Sequence, residues 1–223
     1  MRYEIKFPFN FNDLNKLNTW INGIKNIKKI HSTRYINNIY FDDVNFSSAQ
    51  ENLAGFSNKK KNRLRWYNSL DNELSDCTFE IKIKHNRLNY KDLYKSEKKI
   101  DKIKYINLFD KKLNPFVNLS KKQKINLFEL NKKIFPVIQN KYKRKYLIYK
   151  NKVRLTIDNE MEYTNIKNNK KIYYLSKFYV LEIKFKEEDK NIAYEILKSV
   201  PFVNSKFSKY IHGLRVMNKV SFF

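Results

Sequence analysis

The stretch Phe79-Glu80-Ile81-Lys82-Ile83-Lys84 alternates apolar and charged residues without a break. Successive side chains of a β-strand point to opposite faces, so Phe79, Ile81 and Ile83 share one face and Glu80, Lys82 and Lys84 the other. The pattern recurs along the chain. Glu4 and Lys6 alternate with Tyr3, Ile5 and Phe7, and Arg63 and Arg65 with Leu64 and Trp66. Arg154, Thr156 and Asp158 alternate with Val153, Leu155 and Ile157, and Glu182, Lys184 and Lys186 with Leu181, Ile183 and Phe185. One such strand is ordinarily a surface strand with a wet outer face. A whole set of them, most with a charged residue at every second position, asks for another arrangement.

Alternation and turn signals place about eight strands. They cover residues 2–7, 34–41, 61–67, 79–85 and 89–96, then 141–149 and 152–159 about a tight Lys150-Asn151 turn, and the run 172–186. Helical spacing predicts helices over 13–22 and 47–53, the second stopped at Gly55, and over 120–134, 189–200 and 205–214. With three Gly, four Pro and no Gly-, Pro- or Ser-rich linker, residues 1–223 read as a single domain.

Antiparallel strands with too few helices to cover two sheets close naturally into a barrel, which removes exposed edges. If the apolar faces pack outward against helices, the interior receives Glu4, Lys6, Arg63, Arg65, Glu80, Lys82, Lys84, Arg144, Arg154, Glu182 and Lys184. Unpaired buried charge costs several kcal/mol per ion, so this lining would require water and a bound polyanion. Periodicity alone leaves inside and outside open.

Charge bears on that choice. The chain carries 47 Lys and Arg against 22 Asp and Glu, a net charge of +25. A field of that size attracts polyanions: nucleic acid, acidic membrane or phosphate compounds. Lys, Asn, Ile, Phe and Tyr share A/T-rich codons, so Arg placement carries more information than the Lys excess. The single cysteine, Cys77, excludes an intramolecular disulfide framework, and His31, His85 and His212 are too scattered for a zinc pattern. No signal peptide and no apolar run of about 20 residues is found, which leads to the expectation of a soluble cytoplasmic protein. Trp66 and the many Tyr could stack on nucleic-acid bases, but they fall on apolar faces at period 2, which favours core packing. No sequence-specific nucleic-acid binding is expected.

The ordered series "YEIKF" at 3–7, "IYFDD" at 39–43, "KNRLRWY" at 61–67, "FEIKIK" at 79–84, "KYKRKY" at 141–146, "VRLTID" at 153–158, "VLEIKF" at 180–185 and "KFSKY" at 206–210 resembles the catalytic domain of the vacuolar transporter chaperone (VTC) family. These are the polyphosphate polymerases of the CYTH-like triphosphate tunnel metalloenzyme superfamily. The resemblance covers nearly the whole chain. It implies an α+β fold, an eight-stranded antiparallel β tunnel barrel with a charged interior, flanked by helices. It also implies transfer of the γ-phosphoryl group of ATP to a growing inorganic polyphosphate chain, with Mn2+ or Mg2+ as cofactor.

Carried over by motif, Arg63, Arg65, Lys82, Arg144 and Arg154 would be catalytic contacts to phosphate, Lys6 a substrate-binding residue and Glu182 the metal ligand. Lys84 and Lys184 would add substrate contacts, with Lys91 and Lys95 on a neighbouring strand. Lys206 and Lys209, three apart on one helix face, would bind near the tunnel mouth. The wider superfamily often begins with Glu-x-Glu-x-Lys, and this chain has only Glu4-x-Lys6, which suits the VTC branch. The resemblance adds no membrane span but leaves room for a partner protein in a membrane.

Phosphoryl transfer needs alignment and charge neutralisation more than covalent help. A polyphosphate acceptor is already an oxyanion, so a polymerase needs no strong base. A tunnel triphosphatase would have to orient water, and Glu4 or Glu80 could do so. A non-catalytic polyphosphate-binding module is the third reading. Asp42 and Asp43 read as a turn or helix cap, and Asp158 as a partner for Arg154.

Overall fold

The computed structural model describes residues 2–67, 73–74, 77–85, 88–95, 100–101, 134–166, 171–174 and 177–217. The strands are β1 (Arg2–Asn10), β2 (Ile27–Asp42), β3 (Lys59–Tyr67), β4 (Glu73–Leu74), β5 (Thr78–His85), β6 (Leu88–Lys95), β7 (Ile100–Asp101), β8 (Phe135–Tyr149), β9 (Val153–Asn165), β10 (Lys171–Tyr174) and β11 (Phe178–Lys186). The helices among the described residues are α1 (Leu14–Gly23), α2 (Ser47–Leu53), α3 (Lys190–Leu197) and α4 (Lys209–Val216). Eight strands pair in the order β1-β11-β9-β8-β2-β3-β5-β6, with β10 on β9, and β4 and β7 form a separate pair. The fold is the expected eight-stranded antiparallel one with helices.

Several boundaries differ from the sequence reading. Strand β2 begins at Ile27, ahead of the expected 34, because "IKKIHST" breaks strict alternation and hides its extended run. The segment 172–186 divides into β10 and β11. Helix α4 begins at Lys209 and not at 205, so Lys206 precedes the helix and does not share a helical face with Lys209. Residues 120–133 of the expected central helix lie outside the described residues. The turn joining β8 to β9 contains the expected Lys150 and Asn151, both at positive φ, 46° and 57°, but is one residue longer, since Lys152 belongs to the turn and β9 starts at Val153.

The chain divides into two compact units, Met1–Tyr35 with Lys141–Glu162 and Tyr173–Ser208, and Ile36–Asn140 with Tyr163–Ile172 and Lys209–Phe223. In the first, β1 pairs with β11 along its length and β11 with β9. Their apolar faces bury Phe7, Phe9, Leu155, Ile157, Leu181, Ile183 and Phe185, beneath Leu17 and Trp20 of α1 and Ala193 and Ile196 of α3. The Trp20 indole N–H donates to Ser199 Oγ at 2.9 Å, which satisfies the one polar atom that this aromatic brings into the core.

In the second unit β3 pairs with β2 and β5, and β5 with β6. Ile39, Phe41, Leu64, Trp66, Cys77, Phe79, Ile81 and Ile134 form its core, with Ile83 partly buried against it. Phe79, Ile81 and Ile83 thus pack together, as the alternation requires. Asp42 and Asp43 cap α2: Asp42 accepts the N–H groups of Ser48 and Ala49, and Asp43 those of Asn45 and Ser47. Tyr210 of α4 donates to the same Asp42 carboxylate at 2.6 Å and stacks on Tyr40, tying two helices to the end of β2. Gly213 allows close approach of that helix, since a Cβ there would lie 2.6 Å from Tyr163 and 2.7 Å from Ile138.

Candidate phosphate and metal site

Strand register assembles the charged residues of the first unit. Lys6 lies opposite Glu182, Glu4 opposite Lys184, and Glu182 and Lys184 opposite Thr156 and Arg154. Residues paired across a ladder share a face, so these side chains meet. Lys6 Nζ sits 2.9 Å from Glu4 and 3.7 Å from Glu182, and Lys184 Nζ 3.4 Å from Glu4 and 2.5 Å from Glu182. Two carboxylates and two ammoniums therefore alternate in a closed ring. Glu182 is 4 % exposed and Lys6 also donates to the Phe207 carbonyl at 2.9 Å, so the ring is anchored and not a loose surface cluster.

Beside it, Arg144 donates through Nε and Nη2 to both oxygens of the buried Asp158. Burial opposes the guanidinium charge, yet Asp158, Tyr142 and Glu182 hold Arg144 well above its ordinary value. The partner expected for Asp158 was Arg154. Arg154 is instead exposed and lies opposite Lys184. A hairpin brings residues equidistant from its turn side by side, and with Lys152 included in the turn Arg144 falls opposite Asp158, where the shorter turn read from the sequence would have placed Lys143.

The second unit holds its own cluster around Glu80, which lies opposite Arg63 and is 3 % exposed. Arg63 donates to Glu80 Oε2, Arg65 Nη1 lies 3.4 Å from Oε1 and Lys91 Nζ 3.0 Å from it. Burial alone would raise the Glu80 carboxyl, but Arg63, Arg65 and Lys91 together hold it below the usual carboxylate range. Arg65 also donates through Nε to the buried Asn38 at 2.9 Å. Lys82 lies between Lys61 and Lys91 in register, and Lys84 between Lys59 and Asn89; both are half-buried. Lys209 opens α4, next to the anchored Tyr210, and Lys206 is exposed in the segment before it. Lys6, Arg144, Glu182 and Lys184 thus group in the first unit, with Arg154 at the edge, and Arg63, Arg65 and Lys82 in the second. The sequence had left Glu4 and Glu80 open and had no role for Asn38.

For a divalent cation the donor set is hard oxygen. Glu4 and Glu182 are bracketed by the same two ammoniums, and the buried Thr156 Oγ1, opposite Glu182, has no hydrogen-bond partner among the described residues. Among the described residues no group of three or more His, Cys, Asp or Glu is placed to hold a metal. The residues fit an ion such as Mg2+, which takes one or two carboxylates and completes its shell with water and substrate phosphate, and not an all-protein cage.

The sequence matches the VTC domain family model over residues 1–218. Comparison with curated proteins finds no match. Among solved structures, a candidate adenylate cyclase from Bacillus halodurans is similar at a TM-score of 0.55 and 14 % identity, over 95 % of this chain and 96 % of that one. A protein from Pyrococcus horikoshii OT3 is similar at 0.52 and 12 %, over 97 % and 99 %. A candidate adenylate cyclase from Vibrio parahaemolyticus follows at 0.51 and 10 %, over 94 % and 95 %. At these identities the likeness is one of fold. No helix among the described residues is long and apolar enough to cross a membrane.

Proposed function

The chain belongs to the VTC domain family, and on that premise we propose that it is a polyphosphate polymerase, transferring the γ-phosphoryl group of ATP to the end of an inorganic polyphosphate chain. One observation favours transfer over hydrolysis. The three buried carboxylates on the charged faces are all engaged by cations, Glu182 by Lys6 and Lys184, Glu80 by Arg63, Arg65 and Lys91, and Asp158 by Arg144. A carboxylate held in its ionised form is a weak base for activating water. A terminal phosphate needs no such base because it is already an oxyanion.

In this reading Arg63, Arg65, Arg144 and Arg154 bind phosphate oxygens, where the guanidinium fork matches two oxygens at once. Lys6, Lys82, Lys84, Lys184, Lys206 and Lys209 add point charges along the chain. Glu182, with Glu4 beside it, would hold Mn2+ or Mg2+, which when bound supplies Lewis acidity to the transferring group. The protein's own part is alignment and neutralisation, which carry most of the work in phosphoryl transfer.

The test is incubation of the purified protein with ATP and Mn2+ and resolution of the products by length. A ladder of long polyphosphate with ADP is expected. Orthophosphate alone would replace this reading with a triphosphatase, and tight polyphosphate binding without turnover would replace it with a binding module.

A further inference from the structure

Glu80 takes no part in the transfer outlined above, yet it is buried at the centre of its cluster, 3 % exposed. Arg63 donates to it, and Arg65 and Lys91 close on its other oxygen at 3.4 and 3.0 Å. Its two oxygens stand where three cations converge, the place that phosphate oxygens would take. Resting on the polymerase reading, we propose that Glu80 is a built-in counter-anion that competes with phosphate for Arg63, Arg65 and Lys91, and so keeps the grip on polyphosphate weak enough for the chain to move.

The charge count supports the need for one. Three cations against one carboxylate leave two net positive charges, where three would act without Glu80. A carboxylate and a phosphate present similar oxygen pairs to a guanidinium, so each phosphate that binds must displace or share the Arg63 contact. Glu80 is ionised at neutral pH because the cations outweigh its burial. Two effects oppose each other when its charge is removed. The guanidiniums lose a partner that orders them, which weakens binding. Repulsion of an incoming polyanion also disappears, and that repulsion is summed over every nearby phosphate charge. The second effect is the larger for a polyanion.

The experiment is calorimetric titration with inorganic tripolyphosphate, without nucleotide, of the wild type, Glu80→Gln and Glu80→Asp. Glu80→Gln is expected to bind about tenfold more tightly, with affinity falling more steeply as salt is raised because the cluster carries one more net charge. Glu80→Asp, which keeps the charge, should bind close to the wild type. Equal or weaker binding by Glu80→Gln overturns the proposal. A second measurement needs only the wild type: the Arg63 Nε–H resonance should move as tripolyphosphate saturates, and a resonance that stays in place through saturation also overturns it. If the wild type does not bind tripolyphosphate at all, the polymerase reading falls and the proposal with it. Binding with an unchanged variant removes the counter-anion alone.

Discussion

Arg144 and Asp158 meet through two parallel contacts, Nε to Oδ1 at 2.5 Å and Nη2 to Oδ2 at 2.7 Å, around a carboxylate with no exposed surface. Removing one partner of a buried pair leaves the other uncompensated. Asp158→Ala should therefore cost about 3 kcal/mol or more. Urea unfolding of the variant and the wild type measures this directly. A loss below about 0.5 kcal/mol would mean that water, not Asp158, satisfies Arg144.

Glu182→Gln should remove metal-dependent turnover and leave the melting temperature near that of the wild type, since Glu4 still pairs with Lys6 and Lys184. The loss should exceed the roughly 100-fold that residues behind a metal ligand typically cost. Activity is to be followed across a Mn2+ titration. Wild-type activity at limiting Mn2+ would take Glu182 out of the metal site.

His212 makes stability fall with acid well above the carboxylate range. Burial, with Arg215 and Lys209 beside it, pushes its imidazole down from 6.5 to about 4. Between those two values the unfolded chain binds a proton that the folded chain refuses, so stability declines as pH falls from 6.5 and the decline ends near 4. With a discount for its partial exposure the loss is about 1 to 2 kcal/mol. His212→Asn should flatten that part of the stability profile, and an unchanged slope would assign it to other groups.

Tyr210→Phe removes the hydroxyl that donates to Asp42 and should cost about 2 kcal/mol, the usual worth of a buried hydrogen bond to a charged acceptor. Asp42→Ala should cost more, because the Ser48 and Ala49 N–H groups lose their acceptor as well. Thermal melts of the two variants give the order, and a milder effect for Asp42→Ala would refute the shared anchor.

Much of this arrangement was legible beforehand. Strict alternation located β3, β5, β9 and β11, because a strand with one buried face must repeat every two residues. Helix α2 was found at Ser47–Leu53 from its apolar spacing and the stop at Gly55. Strand β2 was read short where "IKKIHST" loses the alternation, and α4 was read early because "SKFS" contains nothing that forbids a helix. The recurring Arg, Lys and Glu left inside and outside open, and the order of motifs pointed to the family.

By itself the sequence determined which residues share a face: Lys6 with Glu4, Arg63 with Arg65, and Glu80 with Lys82, since the two-residue repeat is local and steric. Only the tertiary structure decided which charge meets which. Glu182 reaches Lys6 because β1 pairs with β11, Glu80 gathers Arg63, Arg65 and Lys91 because β5 lies between β3 and β6, and Asp158 takes Arg144 and not Arg154. Ion pairing depends on distances of a few ångströms between residues far apart in the chain. Those distances follow from register, which is set by burying both apolar faces at once.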